Sequence, residues 1–134
     1  PGRNLDSFFL PAEGVRKVLV DAVREEQAGI AVLEGVMGYY DGLGGTETSA
    51  SSWEIAEITD TPAILVLDCK GASLSAAAMA SGFLHFRKKS HIAGVILNRV
   101  SSMYYERLAA AVEEASGPSA VWSFRLVSSN ISVR

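Results

Sequence analysis

The stretch that decides the fold runs from an apolar segment into a glycine-rich loop and reads Val32-Leu33-Glu34-Gly35-Val36-Met37-Gly38-Tyr39-Tyr40-Asp41-Gly42. The apolar residues Ile30–Leu33 are typical of a short buried strand, and Glu34 follows them directly. Five glycines lie among the eleven residues 35–45, where they allow sharp turns and the close approach of a ligand. An acid at the junction of a buried strand and such a loop indicates the ligand-binding edge of an α/β protein.

The rest of the chain continues an alternation of helices and strands. The predicted helices cover residues 12–27, 53–58, 74–88 and 103–115, and the predicted strands cover residues 30–33, 63–67, 93–97 and 119–124. Because the strands are short apolar runs without alternation, we expect burial on both faces of a parallel sheet with right-handed crossovers. The sequence therefore predicts the α/β class, with a mostly parallel sheet and flanking helices.

The composition narrows the classes of protein to which the chain can belong. A length of 134 residues, 49% of them hydrophobic, is typical of one globular domain. The net charge of −3 argues against a nucleic-acid partner, and no apolar run reaches the roughly 18 residues of a membrane span. The lone Cys69 excludes an intrachain disulfide and fits a cytoplasmic protein. We interpret it as a packing residue, because neither histidine is spaced to form a nucleophilic pair with it.

Polar residues end three of the predicted strands, namely Glu34, Asp68 and the pair Asn98-Arg99. Because the carboxyl ends of parallel strands share one edge, we expect these side chains on the rim of a ligand crevice. Each could instead cap the helix that follows it. The functional interpretation is favoured for Glu34, because Gly35 follows it and the next ten residues show no helical pattern.

Glu34 and Asp41 form a pair of acids suited to Mg²⁺, which takes one or two carboxylates beside waters and substrate phosphates. Asp41-Gly42 is equally typical of a simple turn, so both interpretations of Asp41 stay open. The sequence contains no G-x-x-x-x-G-K-[ST] phosphate loop. Nothing in the chain is therefore predicted to hold a triphosphate.

At Glu34–Gly42 the chain resembles the cobyrinic acid a,c-diamide synthases, which are P-loop glutamine-dependent amidoligases related to dethiobiotin synthetase. Three other segments agree with that family in order and spacing, namely Gly2–Asp6, Ile64–Gly71 and Gly94–Val100. Together the segments span roughly residues 2–115. The Glu-Gly-Val-Met-Gly run with the later Tyr-Asp-Gly is fairly specific, and the other segments support it mainly by their order.

The resemblance implies a P-loop NTPase-like fold of the dethiobiotin synthetase type, incomplete at the N-terminus because the family's phosphate loop would precede Pro1. Residues 1–124 would form part of the nucleotide-binding synthetase domain, and residues 125–134 an edge strand or disordered tail. The implied reaction belongs to cobalamin biosynthesis. ATP phosphorylates the a and c acetate carboxylates of cobyrinic acid or of a related tetrapyrrole, and ammonia from a glutaminase domain outside this chain converts the acyl phosphates to amides.

The resemblance also implies roles for individual residues, with ATP and Mg²⁺ as cofactors and a corrinoid as substrate. Glu34 would hold Mg²⁺ and act in catalysis, and Asp41 would lie near the reacting carboxylate or the metal. Asn98 would hydrogen-bond the adenine edge, with Arg99 beside it on the cofactor side. The predicted substrate-binding residues are Arg3, Asp6, Asp41, Ser51 and Ser52.

Other expectations concern the chain as a whole. Because it lacks a phosphate loop and an initiator methionine, we expect a piece of a longer protein that does not catalyse amidation alone. An exposed sheet edge would favour a homo-oligomer or poor stability. The alternatives are another P-loop superfamily member (cobyric acid synthase, dethiobiotin synthetase or a partitioning-type ATPase) and a non-catalytic α/β domain.

Overall fold

The computed structural model describes residues 2–117 and the backbone of residues 122–125. The chain divides into two compact units, residues 1–61 and residues 62–134. The predicted tail, apart from the backbone of Arg125, lies outside the described residues. Among the helices of the described part, none is long and apolar enough to cross a membrane.

The first unit contains two helices and a glycine-rich loop. Helix α1 spans Ala12–Glu25 and helix α2 spans Ser52–Thr59, with a 3-10 turn at Leu43–Gly45 between them. Both helices confirm the predictions from periodicity. The end of α2 follows from Asp60, whose left-handed conformation (φ 50°, ψ 40°) turns the chain before Pro62.

The predicted strand Ile30–Leu33 is wrong, because the structure contains no strand at these residues. Ile30 is 81% exposed and Val32 is 87% exposed, so the apolar run is not buried in the described structure. A strand is defined by a ladder of backbone hydrogen bonds to a neighbouring strand. The described sheet is built wholly from residues of the second unit. The apolar composition of Ile30–Leu33 indicates a segment able to be buried, which is not sufficient for a strand.

The second unit is a parallel sheet with two helices between its strands. Its elements in chain order are strand β1 (Ala63–Asp68), helix α3 (Leu74–His85), strand β2 (Ile92–Asn98), helix α4 (Ser102–Ser116) and strand β3 (Trp122–Arg125). The strand order is β1-β2-β3, and both neighbouring pairs are parallel. The predicted α/β class with a parallel sheet is thereby confirmed. The predicted last strand is confirmed from residue 122, and residues 119–121 lie outside the described part.

The core of the second unit lies around strand β2. Val95 and Leu97 are fully buried, and so is Val112 on helix α4. Strand β1 alternates instead, since Leu67 is buried while Val66 is 55% exposed. The expectation of burial on both faces therefore fails for β1. The physical reason is that successive side chains of a strand point to opposite faces of the sheet, and only the face that carries Leu67 is packed along β1.

Candidate functional site

The acidic loop of the first unit, residues 34–42, ends in a tight turn at Asp41. The Asp41 backbone N–H donates a hydrogen bond to the Gly38 carbonyl over 2.9 Å. The Asp41 carboxylate folds back over the turn, so that a Cβ added at Gly38 would overlap it. Glycine at position 38 is therefore what permits this placement of the Asp41 side chain.

Gly42 anchors the next part of the loop. Its backbone N–H donates to the Glu47 carbonyl over 2.9 Å, and the N–H of Leu43 donates to the Ser49 carbonyl over 2.9 Å. Gly42 is buried, and a Cβ added there would collide with the Ser49 carbonyl. The backbone of residues 42–49 is thus closed on itself by hydrogen bonds and by the close approach that only glycine allows.

The acidic loop lies at the first turn of helix α2. The Trp53 backbone N–H donates to the Tyr39 carbonyl over 2.9 Å. At the other end of the loop, the Ser52 hydroxyl oxygen lies 2.6 Å from where a Cβ of Gly35 would be. The structure therefore places the loop against the start of the helix at Gly35 and at Tyr39.

Ser51 is the N-cap of helix α2. Its hydroxyl accepts a hydrogen bond from the Glu54 backbone N–H at 3.2 Å and donates one to the Thr48 carbonyl at 2.6 Å. Ser51 is 2% exposed, and both of these bonds lie within the protein. Its predicted contact to substrate stays a prediction. The hydroxyl of Ser52 lies beside Gly35 and therefore contacts the acidic loop itself.

Glu54 is a residue of this region that the sequence interpretation missed. Its carboxylate accepts hydrogen bonds from the Ser7 hydroxyl at 2.5 Å and from the Ala50 backbone N–H at 2.7 Å. The signal was present, because Ser51-Ser-Trp-Glu54 is the S-x-x-E pattern of a capping box. The link to Ser7 had no such signal, since 47 residues separate the two partners.

The predicted substrate residues of the N-terminal segment also lie in the first unit. Arg3 forms an ion pair with Glu25, the last residue of helix α1. The Asp6 carboxylate accepts a hydrogen bond from the Phe8 backbone N–H at 2.8 Å. The structure thus holds both side chains in local contacts, and their roles toward a corrinoid remain predictions.

Glu34 and Asp41 are both exposed, so each carboxylate is accessible to solvent or to a ligand. Within the described residues, no three His, Cys, Asp or Glu side chains come together as a metal-binding group. A site for Mg²⁺ does not require three protein ligands, because this ion commonly takes one or two carboxylates and completes its shell with water and phosphate oxygens. Two exposed carboxylates are donors of the type that Mg²⁺ takes, and the cofactors Mg²⁺ and ATP stay predictions.

The predicted rim of polar strand ends exists in the second unit. Asp68 and Asn98 are paired in register at the carboxyl ends of β1 and β2. The Arg99 guanidinium donates to the Asp68 carboxylate over 2.8 Å, although both side chains are about half exposed. Arg99 is therefore an ion-pair partner of Asp68 as well as a predicted cofactor residue. Glu34 does not end a strand in the described structure, which corrects the prediction that a strand leads into it.

Cys69 follows Asp68 and is 2% exposed. Its thiol contacts the Leu67 carbonyl, with 3.5 Å between sulfur and oxygen. Burial raises the pKa of the thiol, and the neighbouring Asp68 carboxylate raises it further. A thiol held protonated and out of solvent is a poor nucleophile. The geometry agrees with the interpretation of Cys69 as a packing residue.

The parallel sheet, its connecting helices and the polar strand ends place the chain in the α/β class. No family model matches the sequence, and no solved structure matches it. Curated relatives do. The chain is 40% identical over 113 residues to the cobyrinate a,c-diamide synthase of Priestia megaterium, a match that covers 84% of this chain and 24% of the relative.

Two further relatives of the same name agree. The protein of Salmonella typhimurium is 45% identical over 112 residues, which is 83% of this chain and 24% of the relative. That of Listeria innocua is 48% identical over 99 residues, which is 74% of this chain and 22% of the relative. The chain belongs to the cobyrinate a,c-diamide synthase family, and its match spans about a quarter of the length of these relatives.

Proposed function

We propose that the chain is part of an ATP-dependent, glutamine-hydrolysing amidoligase that converts the a and c acetate carboxylates of cobyrinic acid to amides. The observation that carries the proposal is the acidic loop. Two exposed carboxylates, Glu34 and Asp41, stand on a backbone held by glycine contacts against the first turn of helix α2. The proposed substrate is taken from the names of the relatives. The two exposed carboxylates support a site that binds charged groups.

The proposed reaction has two steps. A substrate carboxylate oxygen attacks the terminal phosphorus of ATP, the bond to the bridging oxygen breaks, and an acyl phosphate and ADP form. Ammonia then attacks the acyl carbon, phosphate leaves, and a proton is lost to give the amide. Bound Mg²⁺ would neutralise charge on the transferring phosphoryl group, which is the principal requirement of this chemistry.

The proposal assigns a role to each of the predicted site residues. Glu34 would be the metal ligand, and Asp41 would hold either the metal or the reacting carboxylate in place. Asn98 and Arg99 would bind the nucleotide at the carboxyl edge of the sheet, as residues at strand ends do in open α/β proteins. The proposed substrate-binding residues of the first unit are Arg3, Asp6, Asp41, Ser51 and Ser52.

The remaining parts of the proposal concern partners and setting. Ammonia would come from the hydrolysis of glutamine. The reaction would belong to cobalamin biosynthesis in the cytoplasm. A homo-oligomer stays a prediction, supported by the exposed apolar side chains Ile64 and Val66 on edge strand β1.

The test is a segment exchange. The 112 residues of the Salmonella typhimurium relative that align with this chain are replaced by those of this chain. Formation of the diamide is then followed from cobyrinate, ATP, Mg²⁺ and glutamine. We expect the exchanged protein to form the diamide, because the segment retains the acidic loop and the sheet edge of the family.

Two variants of the exchanged protein connect the activity to the loop. Glu34→Gln and Asp41→Asn each remove a charge with little change of shape, and we expect the amidation rate to fall by at least about 100-fold. Glu47→Gln is the matched control, since Glu47 is an exposed carboxylate of the same loop region that has no proposed role. Equal rates for Glu34→Gln and Glu47→Gln would contradict the proposal. Hydrolysis of ATP without amide formation would favour the partitioning-type alternative.

A further inference from the structure

Glu54 connects three parts of the first unit through one side chain and its own backbone. The carboxylate oxygen Oε2 accepts from the Ser7 hydroxyl at 2.5 Å and from the Ala50 backbone N–H at 2.7 Å. The Glu54 backbone N–H donates to the Ser51 hydroxyl at 3.2 Å. These contacts join the N-terminal segment, the residues before helix α2, and the helix itself.

Helix capping alone does not account for this arrangement. In an ordinary capping box, the acid at this position accepts from the backbone N–H of the N-cap residue. Here the Ser51 N–H donates instead to the Thr48 carbonyl over 3.3 Å, and Glu54 reaches one residue further back, to Ala50. Ala50 adopts a left-handed conformation (φ 61°), which is energetically unfavourable for residues other than glycine. The same carboxylate oxygen that accepts from Ala50 also accepts from Ser7.

The segment held through Ser7 carries a predicted substrate residue. Asp6 precedes Ser7 directly, its carboxylate accepts from the Phe8 N–H, and its carbonyl accepts from the Leu10 N–H at 3.2 Å. Residues 6–10 are therefore one hydrogen-bonded turn. A constraint on the Ser7 side chain is passed through this turn to Asp6.

The other side of the connection leads to the acidic loop. Ser51, which caps helix α2 together with Glu54, is followed by Ser52, whose hydroxyl lies against Gly35 next to Glu34. Glu54 thus stands between the turn of residues 6–10 and the backbone that supports the proposed metal ligand.

We propose that Glu54 is a positioning residue, which holds the Asp6 turn against the N-terminus of helix α2 so that the substrate side and the acidic loop keep a fixed spacing. This inference rests on the proposed function for its consequence in catalysis. The contact itself is independent of that function, and the two are tested separately.

The contact is tested by amide hydrogen exchange on the 134-residue chain. Ser7→Ala removes the hydroxyl and leaves the helix cap intact, and we expect the amides of Phe8 and Leu10 to exchange roughly tenfold faster. Glu54→Ala is expected to do the same without adding to Ser7→Ala in the double variant. Glu47→Ala, which removes an exposed acid that does not take part in the hydrogen bonds of Ser7 and Glu54, is the control with no change. Unchanged exchange in Ser7→Ala would overturn the inference, even if Glu54→Ala unfolds the unit.

The consequence for catalysis is tested in the segment-exchange protein. We expect Ser7→Ala and Glu54→Ala to raise the KM for cobyrinate roughly tenfold while the KM for ATP stays within about twofold. Glu54→Gln, which keeps the shape and one acceptor oxygen, is expected to recover most of the loss. Equal changes in both KM values would indicate a general loss of structure and overturn the positioning role. An inactive exchange protein would overturn the proposed function only, and the exchange rates would still decide the contact.

Discussion

In two segments of the chain an apolar run is followed by an acid, and only one of the two runs forms a strand. Ala63–Leu67 leads to Asp68 and forms strand β1, paired along its length with β2. Ile30–Leu33 leads to Glu34 and forms no strand. The two runs are of similar length and composition. The difference teaches that an apolar run specifies a capacity for burial, whereas strand formation depends on a partner elsewhere in the chain.

The two acids are consequently held by different forces. Asp68 sits at the end of a ladder, where it accepts from the Lys70 backbone N–H at 3.0 Å and pairs with Arg99 of the next strand end. The acidic loop is held locally, by turn hydrogen bonds and by glycines that permit close approach. We therefore expect the stability of the strand ends to depend mainly on core substitutions. The stability of the acidic loop should depend mainly on side-chain volume added at its glycines.

The largest expected effect is the loss of stability caused by a cavity in the core of the second unit. Leu97 is fully buried next to Asn98 in β2, so Leu97→Ala should lower the free energy of unfolding by about 3 kcal/mol. Val66→Ala on the exposed face of β1 should cost less than about 1 kcal/mol. Urea titration monitored by circular dichroism measures both. A similar cost for the two variants would show that the Val66 face is covered in the folded protein.

A smaller effect is expected from volume added to the loop. Gly42→Ala places a methyl group against the Ser49 carbonyl and should destabilise the first unit by about 2 kcal/mol. Gly29→Ala is the control, because a Cβ there meets no atom within 4 Å. Thermal melts and exchange of the Leu43 amide report the difference. If the two substitutions behave alike, the local account of the loop is wrong.

The stability of the region at the strand ends should also depend on pH, because Cys69 lies there. Because the folded protein raises the pKa of Cys69 above its ordinary value of 9.0, the native thiol binds its proton more tightly than the unfolded one. The associated stability is complete below the unfolded pKa and is lost as the pH rises through the folded pKa. The free energy of unfolding should therefore fall more between about pH 8 and about pH 10 in the wild type than in Cys69→Ala. Parallel curves for the two proteins would contradict this.

The smallest effect is expected at the strand ends. Asp68 and Arg99 are both about half exposed, so Asp68→Asn should cost only about 0.5 kcal/mol and lose even this at high salt. A double-mutant cycle with Arg99→Gln gives the coupling directly. A coupling above about 2 kcal/mol would mean that the pair is far less solvated than its exposure indicates.

Much of the fold followed from short-range patterns. The four helices matched their periodicity to within a few residues, and the predicted strands at residues 63–67 and 93–97 form the centre of the described sheet with the expected parallel pairing. The exceptions share a cause. The failed strand at Ile30–Leu33 and the half-exposed strand β1 both depend on which segments lie alongside, and a sequence window contains no information on that neighbour.

In the candidate site too, features set by local sequence were predictable and contacts between distant residues were not. The acidic pair Glu34 and Asp41 was visible because glycine and acid spacing is local, and the family resemblance was confirmed by the curated relatives. The capping box at Ser51 and Glu54 was equally visible and was overlooked in favour of a substrate role for the serines. The ion pair of Asp68 with Arg99 joins residues 31 apart, and no pattern within either segment indicates it.

The sequence by itself determined the α/β class, the helices, the family and the residues that can carry charge chemistry, because these depend on residue type and on spacing within one element or loop. Only the tertiary structure decided which apolar run became a strand, that Arg99 turns to Asp68, and that Glu54 holds Ser7. Each of these outcomes requires two distant segments to meet, and their meeting is set by the packing of the whole unit.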